Sequence, residues 1–289
     1  ANYNATESIQ LLNPDNTLTP FTPGNVTRLT TKIVVDDFEN LWLVQSENAS
    51  NGVAILNSNA ELIRTMSDAN GSLPDRRVYA AAVDKEGLVW LGTGQGACYF
   101  SDVQGQAVRP IVEGRFLLSD ERVNAIAIDG GNRKWFGTQR GLWLFNEEGD
   151  EALANFTTDN APLPSNIIRN LSWDEVSGEL FITTDAGLVS FRTDASKGEE
   201  QAKSIKIFPN PVQPEFIGLV GITQLVDQAS VKIITADGKL IKQLNANGGT
   251  AAWDLTNFKN EKVKSGVYFV LTASGDGVEK KAGKIIVVR

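Results

Sequence analysis

Short apolar runs cut by Gly, Asn and Asp fill the chain, and no segment sustains a helical period. Runs of that kind, rich in Val, Ile, Leu and aromatics, read as β-strands, so the pattern predicts an all-β protein. Through the first part of the chain the pattern repeats. The segments IVVDDFENLWLV, AAVDKEGLVWLGT, IAIDGGNRKWFGT and LSWDEVSGELFITT each place an aspartate before a turn and an aromatic after it. The aspartates are Asp36, Asp84, Asp129 and Asp174, spaced 48, 45 and 45 residues apart, and the aromatics are Trp42, Trp90, Trp135 and Phe181. Gly52, Gly96, Gly141 and Gly187 open the next apolar run each time. A period near 45 residues with three or four strands per unit is that of a β-propeller blade. The inner strand should end at the aspartate, the second strand should carry the aromatic, and the glycine should open the third. Ala80, Ala82, Ala125 and Ala127 suit a crowded central channel, and the aromatics should pack between blades.

Both ends of the array look unfinished. Residues 8–22, SIQLLNPDNTLTPFT, read as a hairpin that would be the outer half of a further blade. A polar tract over 193–203 stands where the last blade would need its outer strand. Residues 1–194 are therefore expected to form an arc of a larger propeller. The small, charged stretch 195–204, ASKGEEQAKS, reads as a linker. Beyond it, 205–289 carries about seven short strands, with Asp237-Gly238 as a two-residue hairpin turn, and predicts an immunoglobulin-like β-sandwich.

Composition narrows the chemistry. Among 289 residues there are 27 Lys+Arg, 35 Asp+Glu and no His, for a net charge of −8. Without histidine there is no Ser-His-Asp or Cys-His catalysis and no His-ligated zinc. The single cysteine, Cys98, allows neither an intrachain disulfide nor a thiolate cluster and reads as a small core residue. The acidic balance argues against nucleic acid as partner. No apolar run reaches the roughly 20 residues of a membrane-spanning helix. The chain opens on Ala1 with no signal peptide, which reads as a piece of a larger polypeptide.

Two families resemble parts of this pattern. The stretches RVYAAAVDKEGLVWLGTGQGACYF and RVNAIAIDGGNRKWFGTQRGLWLF resemble the two-component-regulator propeller repeat of Bacteroidetes sensor ectodomains. The copies around Val44 and Phe191 lack the Gly-Thr pair after the aromatic. In the second part, Pro209-Asn210-Pro211, Gly238-Lys239, Gly266 with Tyr268, and Lys284 to Arg289 recur in order. That set resembles the type A C-terminal sorting domain of the type IX secretion system, with Val263-Lys264 departing from the usual Leu and small residue.

The combination resembles a component of the outer-membrane attachment complex of that system. The resemblance implies a non-enzymatic protein of the cell surface or outer membrane, exported through the periplasm. It further implies binding to anionic lipopolysaccharide and to sortase-like and shuttle proteins of the machinery, with no cofactor and no metal. Two other readings stay open: an exported surface propeller that binds an environmental or host polysaccharide, and the sensor ectodomain of a hybrid two-component system.

No catalytic constellation stands out. The acidic pairs Asp36-Asp37 and Asp174-Glu175 fall in predicted turns and read as solvated hairpins. Blade-to-blade loops and second-to-third-strand loops share one propeller face: 73–77, 118–122, 162–166, 45–51, 94–95, 139–140 and 185–186. Arg76, Arg77, Arg122 and Arg140 therefore converge there as a candidate glycan-binding patch, since guanidinium forks suit phosphate and carboxylate groups. The competing reading pairs them with Asp75, Asp120 and Glu121 beside them.

Overall fold

Every element is a β-strand in the computed structural model, which describes residues 9–20, 30–45, 52–70, 72–199, 204–273 and 279–289. The chain divides into two units. The first comprises most of residues 1–189; the second holds Ser190–Arg289 together with Asp129–Asn132 and Trp173–Leu180.

The repeat folds as four blade sheets, each a meander of consecutive antiparallel strands. The first is Thr30–Val35, Leu41–Gln45, Gly52–Leu56 and Leu62–Met66. The second is Val78–Val83, Val89–Thr93 and Gly96–Phe100. Val123–Ile128, Lys134–Thr138, Leu142–Phe145 and Ala152–Phe156 form the third; Ile168–Asp174, Glu179–Thr184 and Leu188–Arg192 form the fourth. The half-blade expected at 8–22 is a hairpin of Gln10–Leu12 with Leu18–Pro20, while Ser8, Phe21 and Thr22 lie outside the described residues.

The repeating residues each have a local physical task. Asp36 N–H bonds the Asn40 carbonyl, Glu39 N–H bonds the Asp36 carbonyl, and Glu39 takes the left-handed φ of 63°. Asp84 closes the same three-residue turn, with Gly87 at φ 80°. Inside each turn the aspartate carboxylate accepts two backbone N–H groups, from Phe38 and Asn40 or from Glu86 and Leu88. Its second oxygen accepts the indole N–H six residues on, Trp42 at 2.9 Å and Trp90 at 2.8 Å. Asp36 and Asp84 are buried, so solvation is the wrong reading for Asp36: it is a hydrogen-bond hub. Burial alone would raise the Asp36 carboxyl, but bonds from Trp42, Asn40 and Phe38 hold it below the ordinary carboxylate range. In the fourth blade Asp174 accepts from Val176 N–H and the Ser177 hydroxyl instead.

Two of the indoles, Trp42 and Trp90, meet rings of the following blade, while Trp135 stacks on Phe156 of its own blade. Trp42 meets Phe100 at 5.5 Å and Trp90 meets Phe136 at 5.9 Å between ring centroids. The glycine two residues on sets blade spacing: a Cβ on Gly92 would stand 2.7 Å from Val123 Cγ1, and one on Gly137 would stand 2.5 Å from Ile168 Cγ2. The threonine after it caps the next turn. Thr93, Thr138 and Thr184 each donate their hydroxyl to the carbonyl of Gly96, Gly141 or Gly187 three residues on. The Asp-Trp-Gly-Thr-Gly spacing is thus a record of turn, blade contact and cap.

The second unit contains a β-sandwich. One sheet orders Ala195–Ser196, Asn247–Gly248, Thr250–Trp253, Val220–Thr223 and Lys206–Phe208; the other orders Leu240–Asn245, Ser230–Thr235, Gly266–Ala273 and Glu279–Val287. Strand alternation places Val220, Ile222, Val231, Ile233, Trp253, Val270 and Ile285 in one core. Two details differ from the sequence expectation. The sheet reaches back into the supposed linker, because Ala195 and Ser196 pair in parallel with Asn247 and Gly248; residues 200–203 lie outside the described residues. The Asp237-Gly238 turn is one residue longer than expected, with Thr235 paired to Lys239 and Gly238 at φ 85°. That is the three-residue hairpin in which glycine supplies the left-handed position.

Candidate functional site

The loops carrying the predicted arginines do meet. Gly94 N–H donates to the Arg77 carbonyl, and Gly96 N–H to the Glu121 carbonyl, which ties the 94–96 turn to both blade-to-blade loops. The four side chains then have different environments. Arg77 is held by Asp75: Nη2 lies 2.6 Å from Oδ2 and Nε 3.1 Å from Oδ1, with the Arg77 N–H donating to the same carboxylate. Hydrogen bonds from the Arg77 side chain, with smaller help from the Arg76 charge, hold the nearly buried Asp75 carboxyl below the usual range. Arg140 is exposed and donates to the Asp120 carbonyl at 3.2 Å, a backbone oxygen and not a carboxylate. Arg76 is exposed.

Arg122 is half-buried, with its guanidinium carbon over the Tyr79 ring, 3.7 Å from the centroid. Its Nε is buried and has no hydrogen-bond partner, and the same is true of Oε2 of Glu121 beside it. A guanidinium set over a ring presents its fork in a preferred orientation, which suits the planar oxygens of a phosphate or carboxylate. Sequence reasoning missed Tyr79. Its only signal was its place, one residue past the start of the inner strand in RVYAAAV. The 162–166 loop contributes no arginine; its neighbour Arg169 faces Asp185 at 3.9 Å. The 45–51 loop beyond Gln45 lies outside the described residues.

The residues of the sorting pattern gather around the terminal strand. Asn210 Nδ2 donates to the Lys284 carbonyl at 2.8 Å, and Ile286 N–H donates to Asn210 Oδ1 at 3.0 Å. Val212 extends the clamp, donating its N–H to Ile286 and accepting from Val288. Pro209 and Pro211 flank Asn210, both after cis peptide bonds. Gly266 pairs with Val287, and Tyr268 donates its hydroxyl to the Lys264 carbonyl while its ring meets Trp253 at 5.5 Å. Gly238 and Lys239 form the far hairpin, Lys284 is exposed, and Arg289 is tied through its N–H to Ser265 Oγ at 2.9 Å. Asn210→Ala removes two exposed hydrogen bonds of the clamp. It is expected to destabilise the sandwich by about 1–3 kcal/mol, read as an earlier urea midpoint of the sandwich transition.

Cys98 is fully buried, and burial pushes its thiol up to about 12, which leaves it an inert core group. Among the described residues no cluster of three His, Cys, Asp or Glu side chains could hold a metal, and no helix is long and apolar enough to cross a membrane.

Residues 206–288 match the secretion system C-terminal sorting domain, and residues 72–95 match the two component regulator propeller. Among solved structures the chain is similar to PorZ, an essential bacterial surface component of the type-IX secretion system of Porphyromonas gingivalis. The TM-score is 0.65 at 28% identity, over 96% of this chain and 41% of that one. It also aligns with the extracellular domain of the hybrid two component system BT3049 from B. thetaiotaomicron, at 14% identity and TM-score 0.47, over 89% of this chain and 38% of that one. Virginiamycin B lyase from Staphylococcus aureus aligns at 14% identity and TM-score 0.42, over 96% and 87% of the two chains. At those values the last two likenesses say nothing of function. None of the curated proteins compared matches the chain. Propeller blades followed by an immunoglobulin-like sorting domain make this chain PorZ-like, and it spans 41% of the PorZ chain it matches.

Proposed function

We propose that this chain belongs to a non-enzymatic component of the type IX attachment complex, displayed at the cell surface or outer membrane after crossing the periplasm. In this reading the sandwich is its export address, its protein partners are sortase-like and shuttle proteins of the machinery, and its propeller loop face binds an anionic lipopolysaccharide. The sorting-domain match and the likeness to PorZ support the address. The observation that carries the binding reading is Arg122, half-buried with its guanidinium set over the Tyr79 ring. Arg76 and Arg140 would add charge around it. Arg77, held by Asp75, would serve chiefly to shape the loop.

An acidic protein needs such a local patch, because its net field repels an anionic ligand. Arg122→Gln is expected to weaken lipopolysaccharide binding by about 1–3 kcal/mol, the scale of a charge-assisted hydrogen bond. Arg122→Lys should not restore it, since an ammonium has neither the plane nor the fork. Titrating purified anionic lipopolysaccharide against parent and variants at two salt concentrations measures this. Parental affinity in Arg122→Gln would end the binding reading while leaving the export address intact.

We also propose that the four blades are an arc of a larger ring. Where Trp42, Trp90 and Trp135 are buried by their surroundings, Phe181 is 39% exposed and Leu188 beside it is 65% exposed. The hairpin at the other end exposes Leu11, Leu12 and Leu18. Apolar faces of this kind are what a further blade covers.

A further inference from the structure

A cavity of about 420 Å³ opens in the second unit, on the outer face of the five-stranded sandwich sheet. Strand alternation makes its floor. Val220 and Ile222 belong to the core, so Gly221 and Thr223 face outward, paired across the sheet with Ala252 and Thr250. Phe208, paired with Gly221 on the other side, leans over it: a Cβ on Gly221 would stand 3.4 Å from Phe208 Cζ. Phe208 remains 49% exposed, and Phe191, 41% exposed, lines the same recess with Leu219.

Polar groups make up the rest of the wall. Ser177, Thr193, Thr223 and Thr250 bring hydroxyls, while Arg192 and Asp194 bring one charge of each sign. Neighbours fix several of them. The Ser177 hydroxyl donates to Asp174 Oδ2 at 2.7 Å, and that of Thr193 donates to the Gly178 carbonyl at 3.1 Å. Thr250 shares a 2.8 Å hydrogen bond with Ser196, and Asp194 Oδ2 accepts from Asn247 Nδ2 at 3.2 Å. Hydroxyl and carboxylate oxygens held in this way keep lone pairs for further hydrogen bonds.

We infer that this recess receives an uncharged sugar ring, one residue of a neutral glycan. The lining selects it by exclusion. A wholly apolar ligand would strip water from hydroxyls and charges without replacing their hydrogen bonds. An anion would meet Asp194 as well as Arg192, and a cation the reverse. A neutral sugar presents a C–H face to the phenyl rings. Its hydroxyls donate to Asp194 and the threonine oxygens and accept from Arg192. The volume is that of a small-ligand site. The inference stands apart from anionic binding at the propeller loops, since it shares no residue with that patch and calls for no net charge.

Calorimetric titration of the whole 289-residue chain tests it, with neutral trisaccharides of glucose, galactose and mannose as probes and N-acetylphenylalaninamide as the apolar control. At least one sugar should bind at concentrations up to about 10 mM, and more tightly than the control. Added salt should leave that affinity unchanged, because the ligand carries no charge. Phe208→Ala, at a half-exposed side chain, should lower it about tenfold, and Thr223→Val, nearly equal in volume, severalfold. Arg122→Gln should bind the sugar as the parent does. Equal or tighter binding of the control would overturn the assignment, by making the recess a slot for an apolar side chain. Failure of all three sugars to bind would also overturn it. So would parental affinity in a folded Phe208→Ala or Thr223→Val chain, or loss of the sugar in Arg122→Gln, by placing the sugar elsewhere.

Discussion

Lys134→Met is expected to lower the unfolding free energy of the propeller unit by about 3–5 kcal/mol, the cost of stripping one partner from a buried ion pair. Lys134 and Asp84 are both fully buried, with Nζ 3.0 Å from Oδ2. They belong to different blades, so the pair joins the second to the third. Asp84 also accepts the Trp90 indole N–H, and the Lys134 ammonium donates to the Glu147 carbonyl and lies 5.3 Å from the Trp90 ring centroid. Methionine keeps most of the volume but leaves the aspartate charge in a desolvated site. Denaturant unfolding followed by tryptophan fluorescence reads the loss. Adding Asp84→Asn should recover part of it, because the orphaned charge is then gone. A parental midpoint in Lys134→Met would mean that the pair adds nothing over a hydrophobic contact.

The second large effect is expected in the sandwich. Trp253→Ala should cost about 3–5 kcal/mol, from lost burial together with the cavity left behind. The indole is wholly buried, donates to the Thr256 carbonyl at 2.9 Å and packs against Tyr268. It lies in the core shared by both sheets, so neither sheet can close the gap by itself. Trp253→Phe should cost less, since a ring remains against Tyr268 and only the indole bond is lost. Differential scanning calorimetry of parent and variants separates the two. A Trp253→Ala transition within a degree of the parent would show that the core relaxes around the hole.

The two predictions divide unequally between what a reader of the chain could anticipate and what the fold alone supplies. Trp253 sits in an apolar run bounded by turn residues, so its burial could be foreseen. Lys134 could not. A lysine beside a tryptophan in a strand reads as a solvated side chain, and its partner Asp84 lies in another repeat.

The arginine face divides the same way. Repeat phase alone places Arg76, Arg77, Arg122 and Arg140 on blade-to-blade and outer loops, and Gly94 and Gly96 bond to the Arg77 and Glu121 carbonyls of two of those loops. Which arginine is engaged and which is open did not follow. Local sequence offers Asp75, Asp120 and Glu121 as equal partners. The geometry gives Arg77 to Asp75, turns Arg140 to a backbone carbonyl, and lays Arg122 on Tyr79 from the adjacent blade.

By itself, the chain determined its all-β class, the period near 45 residues, the change of grammar near residue 195 and the ordered Asn210, Gly238, Gly266 and Lys284 pattern. These are local matters: a strand's period of two, a turn's need for a left-handed residue and a blade's length are all written in neighbouring positions. Tertiary structure decided that Asp36 and Asp84 are hubs for an indole across the hairpin, that Lys134 is a core residue, and that Asn210 grips a strand more than seventy residues away. Each depends on a partner brought near by pairing register or by blade packing. Hydrophobic pattern encodes which face of a strand is buried, but it carries no record of which distant polar group shares the same dry space.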